Sequence, residues 1–144
     1  SLMKKLFSLT SLIFIAIALI TVSCEKTPEE RLIGKWEVKS LNVKLYINNV
    51  LQDEATEPYE ANAMVIEFLE GGTGKEYEDN ILNDTFGWSV NGDKITITFI
   101  DEDPQDVTFS VGEDDLSFSM EESETDPSSG DVTKMVMTFT LKRI

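Results

Sequence analysis

The chain has 144 residues, with 27 Asp and Glu against 12 Lys and Arg, and a formal charge of −15. It has no His and a single Cys, so it can form no internal disulfide, no Ser-His-Asp or Cys-His pair and no His- or Cys-rich zinc site. The acid excess argues against a nucleic-acid partner, because that affinity comes from cations meeting phosphates. Apolar residues at 41% and charged residues at 27% fit a globular chain, and the length suits one domain with a modest core.

Residues 1–23 hold Lys4 and Lys5 and no acid, followed by an unbroken apolar run from Leu12 to Ile20. A basic start, a short apolar stretch and small residues before a break predict a secretory signal. The run is too short for a bilayer span of about 20 residues. It ends Thr21-Val22-Ser23-Cys24. This stretch resembles the lipobox of bacterial lipoproteins, which implies cleavage before Cys24 and acylation of its thiol. Thr21 departs from the Leu usual in that box. The expected organisation is a signal at 1–23, an acylated Cys and polar tether at 24–31, and a folded domain at 32–144. The expected location is the bacterial cell envelope, on the outer membrane in a double-membraned host, facing the periplasm or the exterior. The anionic body would be repelled by an anionic membrane, so the lipid on Cys24 would hold the protein there.

Pro28 to Leu32 suits one helical turn ended by Gly34. After it, period-two alternation dominates. The first strand spans about 35–47. Trp36 and Val38 share one parity, and Leu41, Val43, Leu45 and Ile47 share the other, so a β-bulge is predicted near Lys39-Ser40. Asn48-Asn49 suits a turn, Val50-Leu51-Gln52 is read as pairing back briefly after it, and Asp53–Asn62, polar and holding Pro58, reads as a loop. Further apolar faces follow: Met64, Ile66 and Phe68; a short strand around Tyr77; Phe86, Trp88 and Val90; Ile95, Ile97 and Phe99; Val107, Phe109 and Val111; Leu116, Phe118 and Met120; and Met135, Met137, Phe139 and Leu141. Asn91-Gly92 is the strongest hairpin signal. Glu121–Asp131 reads as a mobile acidic loop. The pattern predicts an all-β antiparallel meander of about eight one-faced strands, which need a second sheet or closure into a barrel.

Gly34-Lys35-Trp36 resembles the Gly-x-Trp signature of lipocalins and fatty-acid-binding proteins. The stretch from Gly87 to Ile97 is similar to the central hairpin of lipocalin-like domains in small bacterial lipoproteins, and Phe139-Thr140-Leu141-Lys142-Arg143 fits their last strand. The resemblance covers about residues 32 to 144. It implies an up-and-down barrel plugged at one end by Trp36, with Arg143 lying across the indole as a structural latch.

Two readings of the barrel interior stand. An eight-stranded barrel is just wide enough to be filled, or to hold one small ligand. Met120, Met135 and Met137 would suit either. In the first reading a small apolar or amphipathic ligand enters the barrel mouth, with Phe68, Phe86, Trp88, Phe99, Phe109, Phe118 and Phe139 as candidate walls. In the second the barrel is filled, and the loops at 53–62 and 121–131 engage an envelope protein or a glycan. Neither reading calls for an enzyme, a cofactor or a metal, and a monomer is expected. The acidic runs at 101–106, 113–115 and 121–126 read as solvated turns: the first lacks the Gly and the closing acid of a calcium loop. Gly71-Gly72-Thr73-Gly74 lacks the Lys-Ser/Thr of a phosphate loop and reads as a hairpin turn.

Overall fold

In the computed structural model, which describes residues 25–144, a short helix is followed by nine strands in one antiparallel sheet. The expected signal segment and Cys24 lie outside the described residues. Helix α1 spans Pro28–Leu32. Thr27 caps it, its hydroxyl accepting from the Glu30 N–H at 3.2 Å, and Pro28 takes a first-turn position where no N–H is needed.

The strands are β1 (Gly34–Ile47), β2 (Val50–Pro58), β3 (Met64–Leu69), β4 (Thr73–Glu78), β5 (Ile81–Asn91), β6 (Lys94–Phe99), β7 (Gln105–Val111), β8 (Asp115–Thr125) and β9 (Val132–Arg143). From β3 to β9 each strand pairs with the next. β1 closes the ring, because it meets β3 along one edge and β9 along the other. The result is a closed eight-stranded barrel with β2 as an extra strand.

The predicted bulge is present. The β1–β9 register shifts between Val38 and Ser40, leaving Lys39 unmatched and moving the inward parity from Trp36 and Val38 to Leu41 and Val43. β1 thereby serves two environments. Its first residues, Gly34–Glu37, pair with β3 inside the barrel wall, while Ser40–Ile47 pairs with β2. On the other side, β7 pairs with β8 only as far as Ser119, yet β8 continues against β9 to Thr125. The far halves of β1, β8 and β9, together with β2, therefore project past one end of the barrel as a four-stranded sheet.

Three readings of the sequence are corrected here. Residues 53–58, expected in a loop, belong to β2. All of β2 is solvent-exposed, so it carries no alternation, and backbone bonding to β1 defines it. The expected loop at 121–131 is shorter, because residues 121–125 extend β8 against β9 and a tight turn at 126–131 remains. There the Asp126 carboxylate accepts from Ser128 N–H at 2.8 Å and Ser128 Oγ at 2.6 Å. The hairpin after β5 turns on Gly92-Asp93, since Asn91 pairs with Lys94 and only Gly92 has positive φ (63°). The two-residue links with both φ positive are Asn48-Asn49 and Asp79-Asn80.

One end of the barrel is filled. Trp36, Phe68, Leu32, Ile95, Leu116, Leu141 and Val38 are all essentially inaccessible to solvent. Phe68 is the hub, edge-on to Phe86 (5.6 Å between centroids) and Trp88 (5.3 Å) and tilted against Phe118 (6.1 Å). Both indoles are satisfied: Trp36 Nε1 donates to Leu32 O at 2.7 Å, and Trp88 Nε1 to Thr73 O at 2.8 Å. Every strand and this core fall within residues 32–144, so the stretch from 25 to 144 carries its own core.

Candidate functional site

The meander fixes which links lie at which end. α1, the β3–β4 turn and the Gly92-Asp93 turn sit at the closed end, and the Asp79-Asn80 turn and the 100–104 turn at the other. The aromatic plug thins out toward that second end and leaves a cavity of about 250 Å3. Its walls are Val38, Met64, Ile66, Ile97, Phe99, Val107, Phe118, Met120, Phe139 and Leu141, with Glu76 and Gln105 as its polar members. Register explains the set. Ile66 lies opposite Glu76, Ile97 opposite Gln105, and Leu41 opposite Phe139, all on the inner face. Toward the mouth the lining is half-buried, as at Met64, Phe99, Met120 and Phe139.

The apolar inner face does not stop at the mouth. Met120 pairs with Met137 and Met137 with Val43, while Leu45 pairs with Met135. Leu41, Val43, Leu45 and Met137 are half-buried and Met135 is 37% exposed, so the projecting sheet overhangs the mouth with an apolar face.

Glu76 sets the electrostatics of the cavity. It shares the inner face of β4 and β5 with Glu78 and Asp84, its cross-strand partner. Burial, reinforced by the charges of Glu78 and Asp84, pushes its carboxyl above the ordinary glutamate range. Among the described residues no Lys or Arg lines the cavity.

The expected wall residues divide into two groups. Phe99, Phe118 and Phe139 line the cavity. Phe68, Phe86, Trp88 and Phe109 are buried in the plug instead. Phe86 packs on Phe99 at 5.6 Å and covers Gly74, where a Cβ would lie 2.2 Å from the ring. Gly74 is thus a strand residue beneath an aromatic ring, although the sequence suggested a turn there. Glu76 and Gln105 were missed as lining residues. Tyr77 looked like the apolar residue of its strand, but Glu76 lies opposite inward-facing Ile66, two residues along β4 from Gly74, and so faces in. Tyr77 faces out, its hydroxyl donating to Glu67 Oε1 at 3.2 Å.

At the closed end Arg143 lies over Trp36, its guanidinium carbon 4.2 Å from the ring centroid. Its Nη1 donates to Ile33 O at 2.9 Å, its Nε to Glu113 O at 2.8 Å, and its Nη2 to Arg31 O. Arg143 therefore ties the end of α1 to the last strand. Gly34 makes room for it: its φ is 130°, and a Cβ there would stand 2.7 Å from Nη1. Gly34 and Trp36 frame the start of a closed meander barrel, and residues 32–128 match the model of the lipocalin-like domain family. The chain belongs to that family. No curated protein and no solved structure matches it.

The acidic turns of this lipocalin-like domain remain dispersed. Among the described residues no three His, Cys, Asp or Glu side chains converge as a metal site would require.

Proposed function

We propose that this protein is a lipid-anchored lipocalin-like module of a bacterial envelope that takes a small apolar or amphipathic ligand into the open end of its barrel. The observation that carries this reading is the division of the interior. One half is sealed by interlocked aromatics, while the other leaves an apolar cavity of about 250 Å3 beneath a half-open mouth. Ligand sites are concave and largely apolar, with a few placed polar groups, and this cavity has Glu76 and Gln105 in that role. Its size favours a ligand smaller than typical drug-sized molecules. The anchor is supported by the basic start, the apolar run and the lone Cys24 behind it.

Titration of residues 25–144 with an environment-sensitive apolar dye, alongside native mass spectrometry for a co-purified ligand, tests the cavity. Saturable one-to-one binding is expected, as is its loss in Met120→Trp, whose added bulk fills the space. A folded protein that binds no apolar probe would refute it. Cys24→Ser should move the full chain from the membrane to the soluble fraction, and unchanged fractionation would refute the anchor. The second reading is an interaction protein that engages an envelope protein or a glycan. The half-exposed apolar face of the projecting sheet favours it, and it takes precedence if probes fail.

A further inference from the structure

We infer that the cavity selects amphipathic cations, an alkyl or aryl group bearing an ammonium, over carboxylates of the same chain length. The inference rests on the cavity reading above and names the ligand class for that site.

Three observations carry it. First, among the described residues Glu76 is the only ionisable one in the lining, and its neighbours on the same inner face are two more carboxylates, Glu78 and Asp84. Second, the turns that border the mouth add Asp79, Asp101, Glu102 and Asp103 and no base. Third, the lysines of the projecting sheet are turned to its other face. Lys44 pairs with Glu54 at 4.0 Å, and Lys134 lies 3.4 Å from Glu121 and 4.8 Å from the Tyr46 ring centre. An anion at the mouth would face a wall of like charge with no Lys or Arg of the described residues on the inner face. Such charges act more strongly in a cleft with low-dielectric walls than in open water.

The burden on Glu76 points the same way. Its charged form is disfavoured by burial first and by Glu78 and Asp84 next. An ammonium beside it would offset both, while the alkyl chain would lie against Met120, Phe99 and Phe139. A carboxylate in the same pose would add a fourth negative charge.

The test compares octylamine, octanol and octanoate, three probes that share a chain and differ in the head group. Each is titrated into residues 25–144 at neutral pH and followed by displacement of the apolar dye and by native mass spectrometry. Octylamine should bind at least about tenfold tighter than octanoate, with octanol between them. Glu76→Gln should shrink the octylamine-to-octanol affinity ratio, with both probes measured on the variant itself. Octanoate binding as tightly as octylamine would overturn the inference, as would an amine preference undiminished in Glu76→Gln, while octanol binding in either case would leave the cavity reading standing. Failure of all three to bind folded protein would overturn both.

Discussion

Truncating Arg143 to Ala tests whether the contact over Trp36 holds the barrel shut or only decorates it. The side chain makes three hydrogen bonds to backbone carbonyls, at Ile33, Glu113 and Arg31, and stacks 4.2 Å from the indole. A typical hydrogen bond contributes about 1 kcal/mol net, and a cation–π contact about 0.5–2 kcal/mol. Arg143 is half-exposed, so water can replace part of what is lost. The expected cost is about 2–3 kcal/mol, which for a domain of this size lowers Tm by roughly 10 °C. Arg143→Lys keeps the charge and loses the planar fork, and should cost about half as much. Urea denaturation of wild type, Arg143→Ala, Trp36→Phe and the double variant separates the stacking from the carbonyl bonds, because a coupling energy isolates the pairwise part. A loss below about 0.5 kcal/mol for Arg143→Ala would refute the latch, since an ordinary surface substitution does as much.

Three further outcomes follow from the same packing. Phe68→Ala removes the hub of the plug and should cost about 3–5 kcal/mol in urea denaturation, whereas Phe99→Ala, at the half-open cavity wall, should cost clearly less. Gly74→Ala places a methyl against the Phe86 ring and 2.9 Å from Glu67 O, and should destabilise by about 1–3 kcal/mol, only part of it recovered in a Phe86→Leu background because the carbonyl contact remains. Stability against pH should carry two opposite glutamate signatures. Lys39 and the Asn62 N–H hold the Glu37 carboxyl below the ordinary range, so its stabilisation is present above the ordinary value and lost as pH falls through the lowered one. Glu76 is raised, so stability falls as pH climbs from the ordinary value through the raised one. Urea midpoints across pH should therefore show a shallower acid limb for Glu37→Gln and a smaller loss toward neutrality for Glu76→Gln. A Glu76→Gln profile parallel to wild type would contradict this account of the cavity.

Where burial writes alternation into the chain, the barrel was legible from sequence. The parity change within β1 announced the bulge at Lys39, because a pleated strand cannot otherwise change its buried face. β2 was legible only at Val50-Leu51-Gln52, for the opposite reason: the strand to Pro58 is exposed on both faces and is held to β1 by backbone pairing and by Asn42, which donates to Glu54 and Thr56. The site was half legible. Parity placed Phe99, Phe118 and Phe139 inward, but parity cannot say how deep along the barrel a residue sits, so Phe68, Phe86, Trp88 and Phe109 were read as walls when they form the floor. Glu76 was hidden because a carboxylate at an inward position breaks the apolar pattern that marks such positions. Only the pairing of β3, β4 and β5 reveals it.

β2 ends the sheet, so its outer backbone edge has no strand beside it among the described residues. Such an edge is a template on which a strand from another copy can add. Here the strand carries Asp53, Glu54 and Glu57 and closes on Pro58, so an identical strand arriving there would bring the same charges face to face. At neutral pH the edge is guarded by its own acidity. Replacing those acids by their amides would lift the guard, and self-association through β2 is the liability the projecting sheet would then carry.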